Sequence, residues 1–166
     1  MRTVLDLALC GAMALASAAS AAGHVQTKED TLMNLTATGP FDVKLDALQT
    51  YNQADPSMGR RSIDKRFHGE LDAASKGEML SVGTARDNGG YVAIERVTGT
   101  LGGRSGSFAL QHNATMTAGV PYLNIVVVPG SGTGELAGLS GSMNIDIAPG
   151  GAHSYRFDYS LPPAAQ

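Results

Sequence analysis

Gly99-Thr100-Leu101-Gly102-Gly103-Arg104-Ser105-Gly106-Ser107 returns 35 residues later as Gly134-Glu135-Leu136-Ala137-Gly138-Leu139-Ser140-Gly141-Ser142. The shared pattern, G-x-L-x-G-x-S-G-S, lies between stretches that alternate apolar and polar residues: Tyr91 to Thr98 before the first copy, Phe108 to Met116 after it, and Asn144 to Ile147 after the second. Alternation of this kind marks half-buried strands, so each copy predicts a β-hairpin turn. Glycine at the centre of a two-residue turn permits the positive φ that side chains resist. Gly102-Gly103 permits it at both positions and Ala137-Gly138 only at the second, which predicts two turns of different type. A weaker third copy, Gly69-Glu70-Leu71 followed by Ser75 and Gly77, begins 30 residues before the first. Three hairpins at near-regular spacing point to one sheet that winds on itself.

Outward from the repeats the alternation continues. Leu32 to Thr38 and Phe41 to Thr50 predict two strands split by Gly39-Pro40, the second with Phe41, Val43, Leu45 and Ala47 on one face. Asn52 to Gly59 has the chemistry of a loop. A third strand over about Ser62 to Leu71 carries Ile63, Phe67 and Leu71 on one face beside Lys65, and Asp64, Arg66, His68 and Glu70 on the other. Glu78 to Arg86 is expected to be its hairpin partner, with Asp72 to Gly77 able to make a single helical turn between them. Asp87-Asn88-Gly89-Gly90 then turns the chain into Tyr91. Pro121 to Val128 is a continuous apolar run whose two faces periodicity does not separate. Gly150-Gly151 leads into a last strand, Ala152 to Leu161, which Pro162-Pro163 ends. No stretch beyond residue 22 carries a sustained helical period with capping signals. The pattern is all-β, a single antiparallel β-barrel of about eight strands over residues 31–162, because closure removes the edges that a glycine-rich sheet would expose.

The 166 residues fit one domain. With 43% hydrophobic and 16% charged residues, 21 glycines and no tryptophan, the composition is that of a turn-rich globule. Met1 to Ala22 has the layout of a secretory signal, with Arg2, an apolar run from Leu7 to Leu15 and small residues ending Ser20-Ala21-Ala22. Cleavage is expected after Ala22, which makes the protein periplasmic or secreted and leaves residues 23–30 as a loose arm and 163–166 as a tail. The apolar run is too short to span a bilayer, so no membrane insertion of the mature chain is expected. The one cysteine, Cys10, lies in this leader, which excludes disulfides and thiol catalysis from the mature chain. Net charge is -3, and the nearest basic cluster, Arg60-Arg61 with Lys65-Arg66, is diluted by Asp64 and Glu70. Nucleic acid is therefore not an expected partner.

The stretches Glu95-Arg96-Val97-x-Gly99-x-Leu101-x-Gly103-Arg104-x-Gly106-x-Phe108, Gln111-His112, Val128 to Gly141 with its Gly130-Ser131-Gly132-Thr133-Gly134 core, and His153-x-Tyr155 resemble, in this order, the bacterial domain of unknown function 3224 family. The resemblance covers roughly Leu32 to Leu161 and implies an allene oxide cyclase-like barrel. It implies no settled activity. Allene oxide cyclases and dirigent proteins, with similar barrels, bind an apolar reactive intermediate and steer its cyclisation or coupling, which is an analogy of fold alone. Related barrels also associate, so a homo-oligomer is an expectation, with Val120 to Val128 either an interface stretch or simply a buried strand.

In a barrel, alternate residues face inward, so candidate chemistry is a polar group on an otherwise apolar face. His112 shares a face with Phe108, Leu110, Ala114 and Met116. His153 shares one with Tyr155, Phe157, Tyr159 and Leu161. Glu95 shares one with Tyr91, Ala93, Val97 and Leu101, although the opposite face, with Val92 and Ile94, is as apolar. Glu95 and His112 are the candidate catalytic pair, and Tyr91, Phe108, His153 and Tyr155 the candidate ligand contacts. Burial would raise the pKa of such a carboxyl and poise the pair for proton transfer, as an isomerase or cyclase needs. In the plainer alternative, Glu95 pairs with Arg104 or Arg96, each histidine satisfies a core hydrogen bond, and the barrel is a filled, non-enzymatic module. No cofactor is expected. The histidines lack paired ligand spacing, so no metal site is expected either, and the serines of Gly106-Ser107 and Gly130-Ser131-Gly132 lack a nucleophile elbow. The expected partner is a small apolar molecule.

Overall fold

The computed structural model describes residues 32–85 and 87–163. The expected signal segment and arm, and the last three residues of the tail, lie outside the described residues. Ten strands form: β1 (Met33–Lys44), β2 (Ala47–Leu48), β3 (Met58–Phe67), β4 (Leu71–Ala85), β5 (Asn88–Leu101), β6 (Arg104–Thr117), β7 (Val120–Val127), β8 (Thr133–Gly134), β9 (Ser140–Ile147) and β10 (His153–Leu161). Eight of them close an antiparallel barrel in the order β1-β10-β9-β7-β6-β5-β4-β3, with β1 pairing β3 to complete the ring. Short β2 adds to β3 and short β8 to β6. The described residues contain no helix. The expected all-β barrel of about eight strands is thus the fold.

The first motif copy makes the expected turn. Leu101 pairs with Arg104, and Gly102 and Gly103 have φ of 56° and 81°, the double positive φ of a tight hairpin that follows the twist of its strands. The second copy does not make a hairpin. β8 before it pairs with β6, whereas β9 after it pairs with β7 and β10. Between them Leu136 and Leu139 fold into the core, both almost wholly buried, so the segment serves burial rather than a turn between neighbours.

Three boundaries also differ from the sequence expectation. Gly39-Pro40 does not divide two strands, because β1 runs through it and changes partner there: Met33 to Phe41 pair with β10, and Phe41 to Lys44 with β3. A Cβ on Gly39 would stand 2.0 Å from the His68 carbonyl oxygen, so only glycine allows that crossing. The third strand ends at Phe67 instead of Leu71, and the chain turns through His68-Gly69-Glu70, the third motif copy. Asp72 to Gly77 is consequently strand rather than a helical turn, with Ala73 and Ser75 buried on the inward face.

One end of the barrel is filled. Phe108 stacks on Phe157 with ring centroids 5.7 Å apart, Phe157 stacks on Tyr159 at 5.2 Å, and Leu101, Leu136 and Leu161 join them. The other end is open. β7 and β9 pair only at Ile125 with Met143 and Val126 with Ser142. Beyond those two pairs the strands bear no ladder, and the mouth lies there. In β7, Ile125 and Val127 are buried while Val120 and Tyr122 are 69% and 60% exposed, so the apolar run is a strand with an apolar outer rim.

Candidate ligand site

Glu95 stands in the middle of β5, between Ala93 and Val97 on the inward face. Val92 and Ile94 are more than half exposed, which settles which of two apolar faces points inward. Its cross-strand partner is Gly77 of β4. A Cβ on Gly77 would stand 2.6 Å from both Cα and Cβ of Glu95, so the missing side chain is the room that the glutamate occupies.

The carboxylate has no exposed surface and three hydrogen-bond donors around it. Lys65 Nζ donates to Oε1 at 2.7 Å, Ser75 Oγ to Oε2 at 2.6 Å, and His112 Nε2 lies 2.9 Å from Oε1. Lys65 and His112 are 8% and 3% exposed. The lysine ammonium also lies over the Phe41 and Phe67 rings, 5.4 and 5.6 Å from their centroids, a cation–π arrangement. Burial pushes the Glu95 carboxyl upward, but the hydrogen bond from His112, the charge and hydrogen bond of Lys65 and the Ser75 hydroxyl outweigh it and hold the pKa at about 2. Glu95 is therefore an anion at ordinary pH, and the proton on the His112 bond belongs to Nε2. The expected rise in the Glu95 pKa is overturned, because partners that donate to a carboxylate favour its charged form more than burial opposes it. Burial and then the Glu95 charge raise the pKa of the nearby Tyr91 phenol.

This network is the floor of a pocket of about 160 Å³ in the barrel mouth. Lys65 and His112 reach it from below, and Phe41, Ile63, Met79, Leu123 and Ile145 form its apolar walls, with Tyr91 and His153 at its rim. The structure brings Glu95, His112, Tyr91 and His153 to this end of the barrel. Phe108 is not there; it belongs to the filled end. Tyr155 is not in the pocket either: its hydroxyl donates to the His68 carbonyl and accepts the Leu71 N–H, each at 3.0 Å, latching the turn between β3 and β4. Neither arginine of the plainer alternative reaches Glu95, since Arg104 donates to the Pro162 carbonyl and Arg96 to that of Ser131. Lys65 and Ser75 are the site residues that sequence reasoning missed. Lys65 had a signal, as a cation between Ile63 and Phe67 on an apolar face. Ser75 had none. Among the described residues no group of three or more His, Cys, Asp or Glu side chains could hold a metal ion.

Comparison with known proteins agrees with the fold. No curated protein sequence matches the chain. A crystal structure of a protein with unknown function from the DUF3224 family of Shewanella oneidensis MR-1 is 48% identical; it covers 80% of this chain and 100% of its own, with a TM-score of 0.74. The family described as "Protein of unknown function (DUF3224)" matches residues 37–159, nearly the whole barrel. The chain belongs to the DUF3224 family.

Proposed function

We propose that the barrel mouth binds a small apolar molecule bearing one hydrogen-bond acceptor, its oxygen directed at the Lys65–His112 floor. The observation that carries this is an open apolar pocket whose floor is a buried, paired ammonium and imidazole. A cavity of about 150 Å³ takes a single benzene ring, so a pocket of about 160 Å³ suits a ligand portion of that size. Lys65 has N–H groups beyond the one given to Glu95, and an acceptor oxygen satisfies them where an all-carbon ligand would leave them dry.

The low pKa of Glu95 favours binding over acid–base catalysis. A carboxylate titrating near 2 is a weak base at neutral pH and carries no proton to give. An isomerase or cyclase would have to rely on the remaining Lys65 N–H groups to stabilise developing negative charge on the ligand oxygen, since His112 gives its Nε2 proton to Glu95. The filled-core module is the second reading, favoured by the packed end around Phe108, Phe157 and Leu161.

Calorimetric titration with cyclohexanone separates them. One-to-one saturable binding is expected for the wild type, with loss of binding and an unchanged melting temperature in Leu123→Trp, which fills the mouth. No saturable binding, or equal binding by both proteins, would remove the ligand reading and leave the filled-core module.

A further inference from the structure

A second apolar groove, of about 400 Å³, adjoins the mouth. Its walls are the first residues of β5, which follow the β4–β5 turn at Asp87, and the last of β6 and first of β7, which the turn at Ala118-Gly119 joins. On the inward-facing alternation these are Gly89, Ala114, Met116 and Pro121, with Tyr91 and Leu123 nearest the barrel. Tyr91 and Leu123 line both the groove and the barrel pocket, so the two spaces meet at these side chains. The three strands project past the mouth because the part of β7 before Ile125 has no β9 partner. Their inner face therefore has no opposite wall. Met116 is 41% exposed there and Tyr122 60% at its edge.

We propose that the ligand is elongated, with its oxygen-bearing end on the Lys65–His112 floor and an aliphatic chain running past Tyr91 and Leu123 onto the inner face of β5, β6 and β7. This rests on the ligand reading above and names its class: a medium-chain aliphatic ketone, aldehyde or alcohol. Two physical arguments select it. The barrel pocket alone is smaller than the roughly 300–1,000 Å³ of an ordinary ligand site, and the adjoining groove brings it into that range. The floor is already charge-paired, Lys65 with Glu95, so a neutral head meets donors without burying a further unpaired charge. Among the described residues that line the far end of the groove, the one ionisable group apart from the tyrosines is Asp87, an exposed carboxylate that disfavours a second anionic end.

The test is a chain-length series of methyl ketones, from 2-pentanone to 2-decanone, titrated against the full chain and against Met116→Asp. Met116 lines the groove and not the barrel pocket, and its exposure makes the substitution compatible with folding. Full burial of a methylene tightens binding about fourfold, and lying on an open groove about twofold, so 2-decanone is expected to bind about 30-fold tighter than 2-pentanone. Met116→Asp is expected to remove most of that gain and leave 2-pentanone unchanged. An affinity that stops rising beyond 2-pentanone, or a gain that survives Met116→Asp, overturns the elongated ligand while the barrel pocket stands. Failure of every ketone to bind the wild type overturns both.

Discussion

Replacing Glu95 with glutamine should be among the most damaging isosteric changes in the protein. The carboxyl titrates at about 2 in the fold and at its ordinary 4.5 when unfolded, which corresponds to about 3 kcal/mol of stability near neutral pH. Because the folded value is the lower one, this contribution is complete above about pH 4.5 and fades as pH falls toward 2. An independent route gives a similar figure. Glu95→Gln leaves the Lys65 ammonium, 8% exposed, without its counter-charge, and breaking one side of a buried pair costs about 3–5 kcal/mol. Urea unfolding followed by circular dichroism at pH 7 should show a loss of about 3 kcal/mol for Glu95→Gln. The gap between wild type and variant should narrow steadily as the pH is lowered from about 4.5 to about 2.5. Adding Lys65→Met should recover part of the loss, since it removes the stranded charge. A loss under about 1 kcal/mol at pH 7, or a gap that does not change with acid, would refute the dry, charge-paired network.

Gly77→Ala brings a methyl group within 2.6 Å of the Glu95 backbone and side chain and 2.2 Å of the Ile94 carbonyl, so it should cost about 1–3 kcal/mol in a thermal melt. Gly83→Ala, with nothing within 4 Å, should change stability by less than about 0.5 kcal/mol. Tyr155→Phe removes the hydroxyl that holds the His68 carbonyl and the Leu71 N–H, and denaturant unfolding should show a loss of about 1–3 kcal/mol. The Tyr91 phenol, raised first by burial and then by the Glu95 charge, should titrate lower in Glu95→Gln by carbon-13 NMR yet stay above its ordinary value, because the burial remains.

The barrel was legible because its signals are local. Gly102-Gly103 states its own turn, and alternation over Phe108 to Met116 and Tyr155 to Leu161 states which residues face inward. His112 was legible for the same reason. Glu95 was harder, since Val92 and Ile94 make its opposite strand face equally apolar and only the closed sheet leaves them outside. The partner of Glu95 was out of reach of the sequence. Lys65 is 30 residues away on a strand two places round the barrel, and its approach depends on the stagger of β3, β4 and β5, which pairs Glu95 with Gly77 and Lys65 with Ser75. The second motif copy misled because the same glycine and serine spacing serves a turn in one place and a leucine-burying loop in another.

The central claim, that the mouth pocket holds an acceptor oxygen on a paired ammonium and imidazole, is tested most directly by a crystal structure of the protein soaked with cyclohexanone. The ring is predicted between Ile63, Met79 and Leu123, with its oxygen within hydrogen-bonding distance of Lys65 Nζ. A ring bound only on the outer apolar rim, or a mouth left empty at saturating ketone, would contradict the account.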